Sequence, residues 1–189
     1  MKRIADLLFE ARMLRHIPRS GFQFLGAGHE SVAEHVYSTT FIGYTMAQLH
    51  PEIDRLKLMS MCLVHDLPEA RTGDLNSVQK AYVRSDEPKA VADALRGVPF
   101  ADDLRALLAE YVSGTSPEAQ LARDADQISL ILELKDLKDI GYRPPDDWLP
   151  HVLGRLQTET GKALAQAVLD TRRDAWWWSA AAARDTVRC

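Results

Sequence analysis

The chain is poor in thiols: of 189 residues only Cys62 and Cys189 are cysteine, and neither belongs to a Cys-x-x-Cys pair. A disulfide framework and a thiolate zinc site are therefore excluded. Positive charge is also scarce, with 23 Lys and Arg against 27 Asp and Glu and a formal net charge of −4. Without a basic block the chain lacks the footprint of a binder of nucleic-acid polymers. No apolar run approaches the ~18–20 residues needed to cross a bilayer. The opening MKRIADLLFEARMLRH is amphipathic and lacks the roughly 7–15-residue apolar stretch of a signal peptide. A cytoplasmic protein with no membrane partner is expected. Alternating β-branched runs between hairpin turns are missing as well. What is present, 46% hydrophobic and 26% charged residues, is the balance of a globular domain able to bury one core. Any bound metal would have to sit on the six histidines and on carboxylates.

Helical periodicity dominates. Residues 2–15 place Ile4, Leu7, Leu8, Ala11 and Leu14 on one stripe, and the following segment to Glu30 reads as an ordered loop. Ser31 and Glu34 form a capping box that opens a helix to about Leu49. Asp54 caps the next helix, which should stop before Pro68. Further helices are expected over 75–84, 87–96 and 100–112. Ser116, Pro117 and Glu118 are an N-cap, a first-position proline and a first-turn acid, which start a long helix to Gly141. Two more are expected over 147–157 and 159–178, with the tail 179–189 frayed. Gly26-Ala27-Gly28 follows no strand and lacks a third glycine, so it is a loop and not a dinucleotide fingerprint. Three consecutive tryptophans, Trp176 to Trp178, cannot share one helix face; some should pack on the core or a partner subunit and at least one should stay exposed. The expected architecture is a single all-α domain spanning 1–189.

The chemistry-bearing residues are few. His65 and Asp66 are adjacent near a helix end, in Leu63-Val64-His65-Asp66-Leu67-Pro68-Glu69. Neighbouring helical residues point about 100° apart, so one metal can take both only from beside the helix, with other ligands closing the site. His35 on the preceding helix can do so, as can an acid in Arg123-Asp124-Ala125-Asp126-Gln127. Periodicity does not choose between Asp124 and Asp126. Each of these residues alone is more often a capped or hydrogen-bonded helix residue than a ligand. Glu69, three residues after Asp66, is placed for proton transfer. Asp74, behind the Gly73 turn, could orient a water, hold a sugar hydroxyl or simply cap the turn. Arg19 offers a planar fork for phosphate, and Lys80 is a second cation. His16, His29, His50 and His151 read as surface or loop histidines, with His29 near the site in sequence.

Ile17-Pro18-Arg19-Ser20-Gly21-Phe22, Glu30-Ser-Val-Ala-Glu-His35, His65-Asp-Leu-Pro-Glu69 with Gly73-Asp74-Leu75, Glu110-Tyr111, and Pro117-Glu-Ala119 with Asp126-Gln127 occur in that order. In this combination the chain resembles the HD-domain metal-dependent phosphohydrolases and is similar to their 5′-deoxynucleotidase branch, over about residues 5–140. The resemblance implies an HD-type helical bundle and one divalent ion (Mn, Co, Fe, Zn or Mg). It implies His35, His65, Asp66 and Asp126 as ligands, because the family motif ends in Asp-Gln; Asp124 would then be a solvated or supporting acid. Glu69 and Asp74 match functional carboxylates, and Arg19 the phosphate-binding arginine. Phe22 and Lys80 are expected near the substrate. The implied reaction is release of phosphate from (deoxy)nucleoside 5′-monophosphates by metal-activated water, in a homodimer.

The chain departs from the family in one region. Members specific for deoxyribose carry a Trp next to or near the arginine, whereas this chain offers Phe22 and Phe24, and Leu25 replaces a common second arginine. Three other functions compete. A two-metal oxygenase or phosphodiesterase would recruit extra histidines, yet none lies between Asp66 and Asp126. A guanosine-polyphosphate hydrolase fits the Pro18-Arg19 and Glu69–Asp74 context less well. A non-catalytic binding module would be expected to lack ligands, and none is missing.

Overall fold

A computed structural model describes residues 1–179. Among these the chain is helical, with no strand; a single antiparallel bridge joins Pro18 to Ser31. The helices are α1 (Lys2–Arg12), α2 (Phe22–Leu25), α3 (Val32–Leu49), α4 (Arg55–Val64), α5 (Glu69–Thr72), α6 (Ser77–Tyr82), α7 (Glu87–Ala94), α8 (Ala101–Ser113), α9 (Pro117–Asp139), α10 (Pro145–Leu153) and α11 (Glu159–Asp170), with a 3₁₀ turn over Met13–His16. None is long and apolar enough to cross a membrane.

Local chemistry sets the starts of the long helices. Ser31 and Glu34 form the reciprocal capping box at α3, the Asp54 side chain accepts from the Lys57 amide at α4, and Ser116 with Pro117 opens α9. The 23-residue α9 is the axis of the fold, packed against α3, α4, α8, α10 and α11. Its Ala122, Ala125, Ile128, Ile131 and Leu134 are fully buried against Met46, Leu58 and Met61 from α3 and α4. A smaller cluster of Leu7, Leu67, Leu95, Val98 and Ala101 ties α1 to the segments after α4 and α7.

Several boundaries differ from the sequence expectation. The second long helix does stop before Pro68, ending at Val64, and His65 to Pro68 form a turn before α5. Proline at 68 removes a backbone donor and restricts Leu67, so the helix gives way one turn early. The loop over 16–30 contains the short α2, and the helix expected over 75–84 covers only Ser77–Tyr82. The last long helix stops at Asp170, and a break over 171–174 separates it from the helical residues 175–179. Trp176, Trp177 and Trp178 are all exposed, the latter two stacked at 4.5 Å and Trp178 Nε1 donating to Asp174; none joins the core. Ala180 to Cys189, most of the tail expected to fray, lie outside the described residues.

Candidate metal centre

Three elements converge on one point. His35 sits one turn into α3 and is wholly buried, His65 caps the C-terminus of α4, and Asp126 lies on α9. One ligand atom from each lies within 4.8 Å of the others. His35 Nε2 is 2.9 Å from Asp126 Oδ1. Asp66, whose side chain follows the turn out of α4, sets Oδ2 at 3.2 Å from His65 Nε2 and 3.7 Å from His35 Nε2.

The orientation of these side chains is built in. His65 Nδ1 donates to the Cys62 carbonyl at 2.8 Å, which directs Nε2 into the centre. The Tyr111 ring lies 5.2 Å from the same imidazole and walls it from the other side. Gln127 Nε2 donates to Asp126 Oδ2 at 2.9 Å, leaving Oδ1 to face the histidines. His65 Nε2 and Asp66 Oδ2 are buried without hydrogen-bond partners. Orphaned donors and acceptors of this kind are costly unless something else satisfies them. Two imidazoles and two carboxylates, with His65 Nε2 and Asp66 Oδ2 unpartnered between them, fit a divalent cation of the Mn, Fe, Co, Zn or Mg type.

The electrostatics agree. Burial works against the charged imidazole of His65, yet Asp66 and Asp126 outweigh it and push its pKa up to about 9. Burial would raise the carboxyls of Asp66 and Asp126, but His65 does most to hold Asp66 below its usual range, and His35 does most to hold Asp126 low. The pocket therefore favours positive charge at its centre.

Around this set stands a shell of charge. Arg19 Nη1 lies 3.6 Å from both Asp66 Oδ2 and Asp74 Oδ2, and its pKa, against the cost of burial, is raised by these acids. The loop carrying Arg19 is clamped to the start of α3, with the Arg19 amide donating to the Glu30 carbonyl and the Val32 amide to that of Ile17. Asp74 Oδ2 accepts from the Ser20 amide at 2.9 Å, so it holds the arginine loop and the guanidinium together. Glu69 opens α5, and burial, then Asp66 and Asp74, push its carboxyl up to about 8; its Oε2 has no partner. Phe22 is part of the main core and lines the cavity beside Arg19. Lys80 stays exposed on α6, apart from that cavity, and His29 is exposed.

Asp124 is not a solvated acid. It is fully buried and accepts from the amides of Gln157 and Thr158 and the Thr158 hydroxyl at 2.8, 2.8 and 2.6 Å, which seats the start of α11. Residues absent from the sequence reading of the site also appear. The Glu30 side chain reaches within 4.0 Å of Arg19 Nε and 3.9 Å of His35 Nδ1, and burial, then Glu133, push its carboxyl up to about 8. Glu30, Tyr111 and Gln127 each stand inside the motif segments, but nothing in their spacing assigned them work.

An HD-domain family model matches residues 11–168. The chain is 27% identical over 142 residues to the 5′-deoxynucleotidase HDDC2 of Danio rerio, covering 69% of this chain and 68% of that protein. It is 27% identical over 131 residues to the 5′-deoxynucleotidase hdd1 of Schizosaccharomyces pombe, covering 64% and 65% respectively. The chain thus spans about two thirds of the length of these relatives. Among solved structures, a conserved hypothetical protein from Pyrococcus furiosus superposes with a TM-score of 0.74 at 29% identity, over 89% of this chain and 99% of that one. With the ligand geometry described above, these matches show that the chain belongs to the HD-domain family of metal-dependent phosphohydrolases.

Proposed function

We propose that the protein hydrolyses nucleoside 5′-monophosphates, deoxy or ribo, to nucleoside and phosphate, with His35, His65, Asp66 and Asp126 holding one divalent ion. When bound, such an ion polarises a phosphoryl oxygen and lowers the pKa of water. The observation that carries the reading is Arg19: a charged guanidinium 3.6 Å from Asp66, beside the ligand set and facing a cavity. Arg19 presents a planar fork to the phosphoryl oxygens and neutralises the charge that builds on them. Asp74 positions that fork by holding both Arg19 and the Ser20 amide. Glu69, protonated up to about pH 8, gives a proton to the departing 5′-oxygen as the P–O bond breaks. The names of the HDDC2 relatives favour a nucleotide over other phosphomonoesters. A homodimer is part of the same reading and rests on the family resemblance; light scattering of the purified chain tests it.

Phosphate release from a panel of 5′-mononucleotides of both sugar series, with Mn²⁺ or Co²⁺, tests the reaction. Metal-dependent release that falls by three or more orders of magnitude in Asp66→Ala is expected. No release from any of them, or release untouched by the substitution, would remove the reading, and release from a guanosine polyphosphate alone would replace the substrate.

A further inference from the structure

Beside Arg19 lies a cavity of about 200 Å³, none of whose lining residues is among the four proposed ligands. Three of its walls are chemically distinct. Ser20 is 3% exposed, and its hydroxyl has no hydrogen-bond partner. The Ser20 amide is tied to Asp74, which fixes the residue against the cavity. Trp148, half-buried on α10, brings its indole over the same stretch of chain; a Cβ placed on Gly21 would lie 3.7 and 3.8 Å from its ring. Arg155, exposed beyond α10, and Phe24 complete the rim.

The order of these groups matters. Arg19 faces the metal ligands, Ser20 is next to it, and Trp148 packs on Gly21 next to Ser20. Charge, hydroxyl partner and flat aromatic surface follow one another outward from the reacting centre. A 5′-nucleotide has the same order: phosphate, sugar with hydroxyls, then a flat base. A buried, unpartnered hydroxyl beside an open cavity is costly to leave unmade and is satisfied by a ligand hydroxyl. An aromatic ring on a cavity wall binds any base through its π-face, without reading its edge.

We infer, on the nucleotide reading above, that this cavity is the nucleoside subsite, in which Ser20 Oγ hydrogen-bonds a sugar hydroxyl and the Trp148 indole stacks on the base. Trp148 thereby determines that the substrate is a nucleotide and not a bare sugar phosphate, with little preference among bases, while Ser20 holds the sugar that both share.

Calorimetric binding to the metal-loaded protein tests this without turnover, using a non-hydrolysable nucleoside 5′-phosphonate and the matching pentose 5-phosphonate. Stacking of one base corresponds to roughly tenfold or more in affinity, so the wild type should prefer the nucleoside ligand by about that factor. Trp148→Leu keeps apolar volume on α10 but removes the flat ring, and it should bring the two ligands to within about twofold while leaving pentose binding unchanged. Trp148→Phe should retain most of the preference. Ser20→Ala should weaken both ligands alike, by several-fold, because both carry the sugar. Equal binding of the two ligands by the wild type, or a preference that survives Trp148→Leu, would overturn the assignment. Loss of both ligands in Trp148→Leu with an unchanged melting temperature would overturn it as well. An intact preference without phosphate release from any nucleotide would sink the catalytic reading alone.

Discussion

Asp124 and Asp126 stand two residues apart on α9, and their surroundings give them different work. Asp124 accepts three hydrogen bonds from Gln157 and Thr158, whereas Asp126 faces His35 and keeps some exposure. Hydrogen bonds to a buried charge contribute about 1.5–3 kcal/mol each and do not add fully. Asp124→Ala should therefore destabilise the protein by about 3 kcal/mol, read by denaturant titration, and Gly161→Ala should act similarly because its Cβ would meet Asp124 Oδ2. Asp126→Ala should leave α11 seated and abolish metal binding. Glu30 offers a second test at this scale. Burial holds its folded-state pKa at about 8, above the ordinary 4.5, so the folded state binds the proton more tightly. Its protonation supports the fold fully below pH 4.5, and that support fades as pH rises to 8. In chelated protein, Glu30→Gln should thus raise Tm above pH 8 by several degrees and leave it unchanged near pH 4. A constant difference across that window would contradict the account. Asp124 also shows where sequence reading stops: both acids fall beside apolar stripes of α9, and only the tertiary position of Thr158 separates them.

At the scale of elements, most helix starts were legible because they rest on neighbours in sequence. The Ser31–Glu34 box, Asp54 and Ser116 with Pro117 all cap where their spacing places them. Ends were less legible. Val64 terminates α4 ahead of the proline, and α11 stops at Asp170 although its apolar pattern continues toward the tryptophans. Those stops depend on what the next turn can pack against, which spacing does not record. The crossing of α3 and α4 illustrates such packing: a Cβ on Gly43 would lie 2.6 Å from Cys62 Sγ. Gly43→Ala should cost roughly 1–3 kcal/mol through overpacking. Cys62→Ala removes the obstructing sulfur, so the double variant should be more stable than the sum of the two single losses. A double-mutant cycle with zero coupling would show that the helices part freely there. Because the Cys62 carbonyl also orients His65, strain at this crossing should lower metal affinity as well.

For the whole molecule, the four proposed ligands form an ordered set in the sequence, spread over 92 positions of chain from His35 to Asp126. What the sequence could not show is how three helices and one turn bring them together, or that Trp148 reaches the far side of the Arg19 cavity. Both follow from α9 lying at the centre, with α3, α4 and α10 all packed on it. A cation that ties α3, the α4 turn and α9 together binds only the folded chain. At one hundred times its dissociation constant it should add about 2.7 kcal/mol of stability, roughly 5–10 °C in Tm for a chain of this size. The most direct test of the centre is a calorimetric titration of chelated protein with Mn²⁺ or Co²⁺. One ion should bind per chain in the wild type and in Asp124→Asn, and none in His65→Ala or Asp126→Ala. Unchanged binding in the last two, or loss of binding confined to a folded Asp124→Asn, would contradict the assignment of His35, His65, Asp66 and Asp126 as the metal centre.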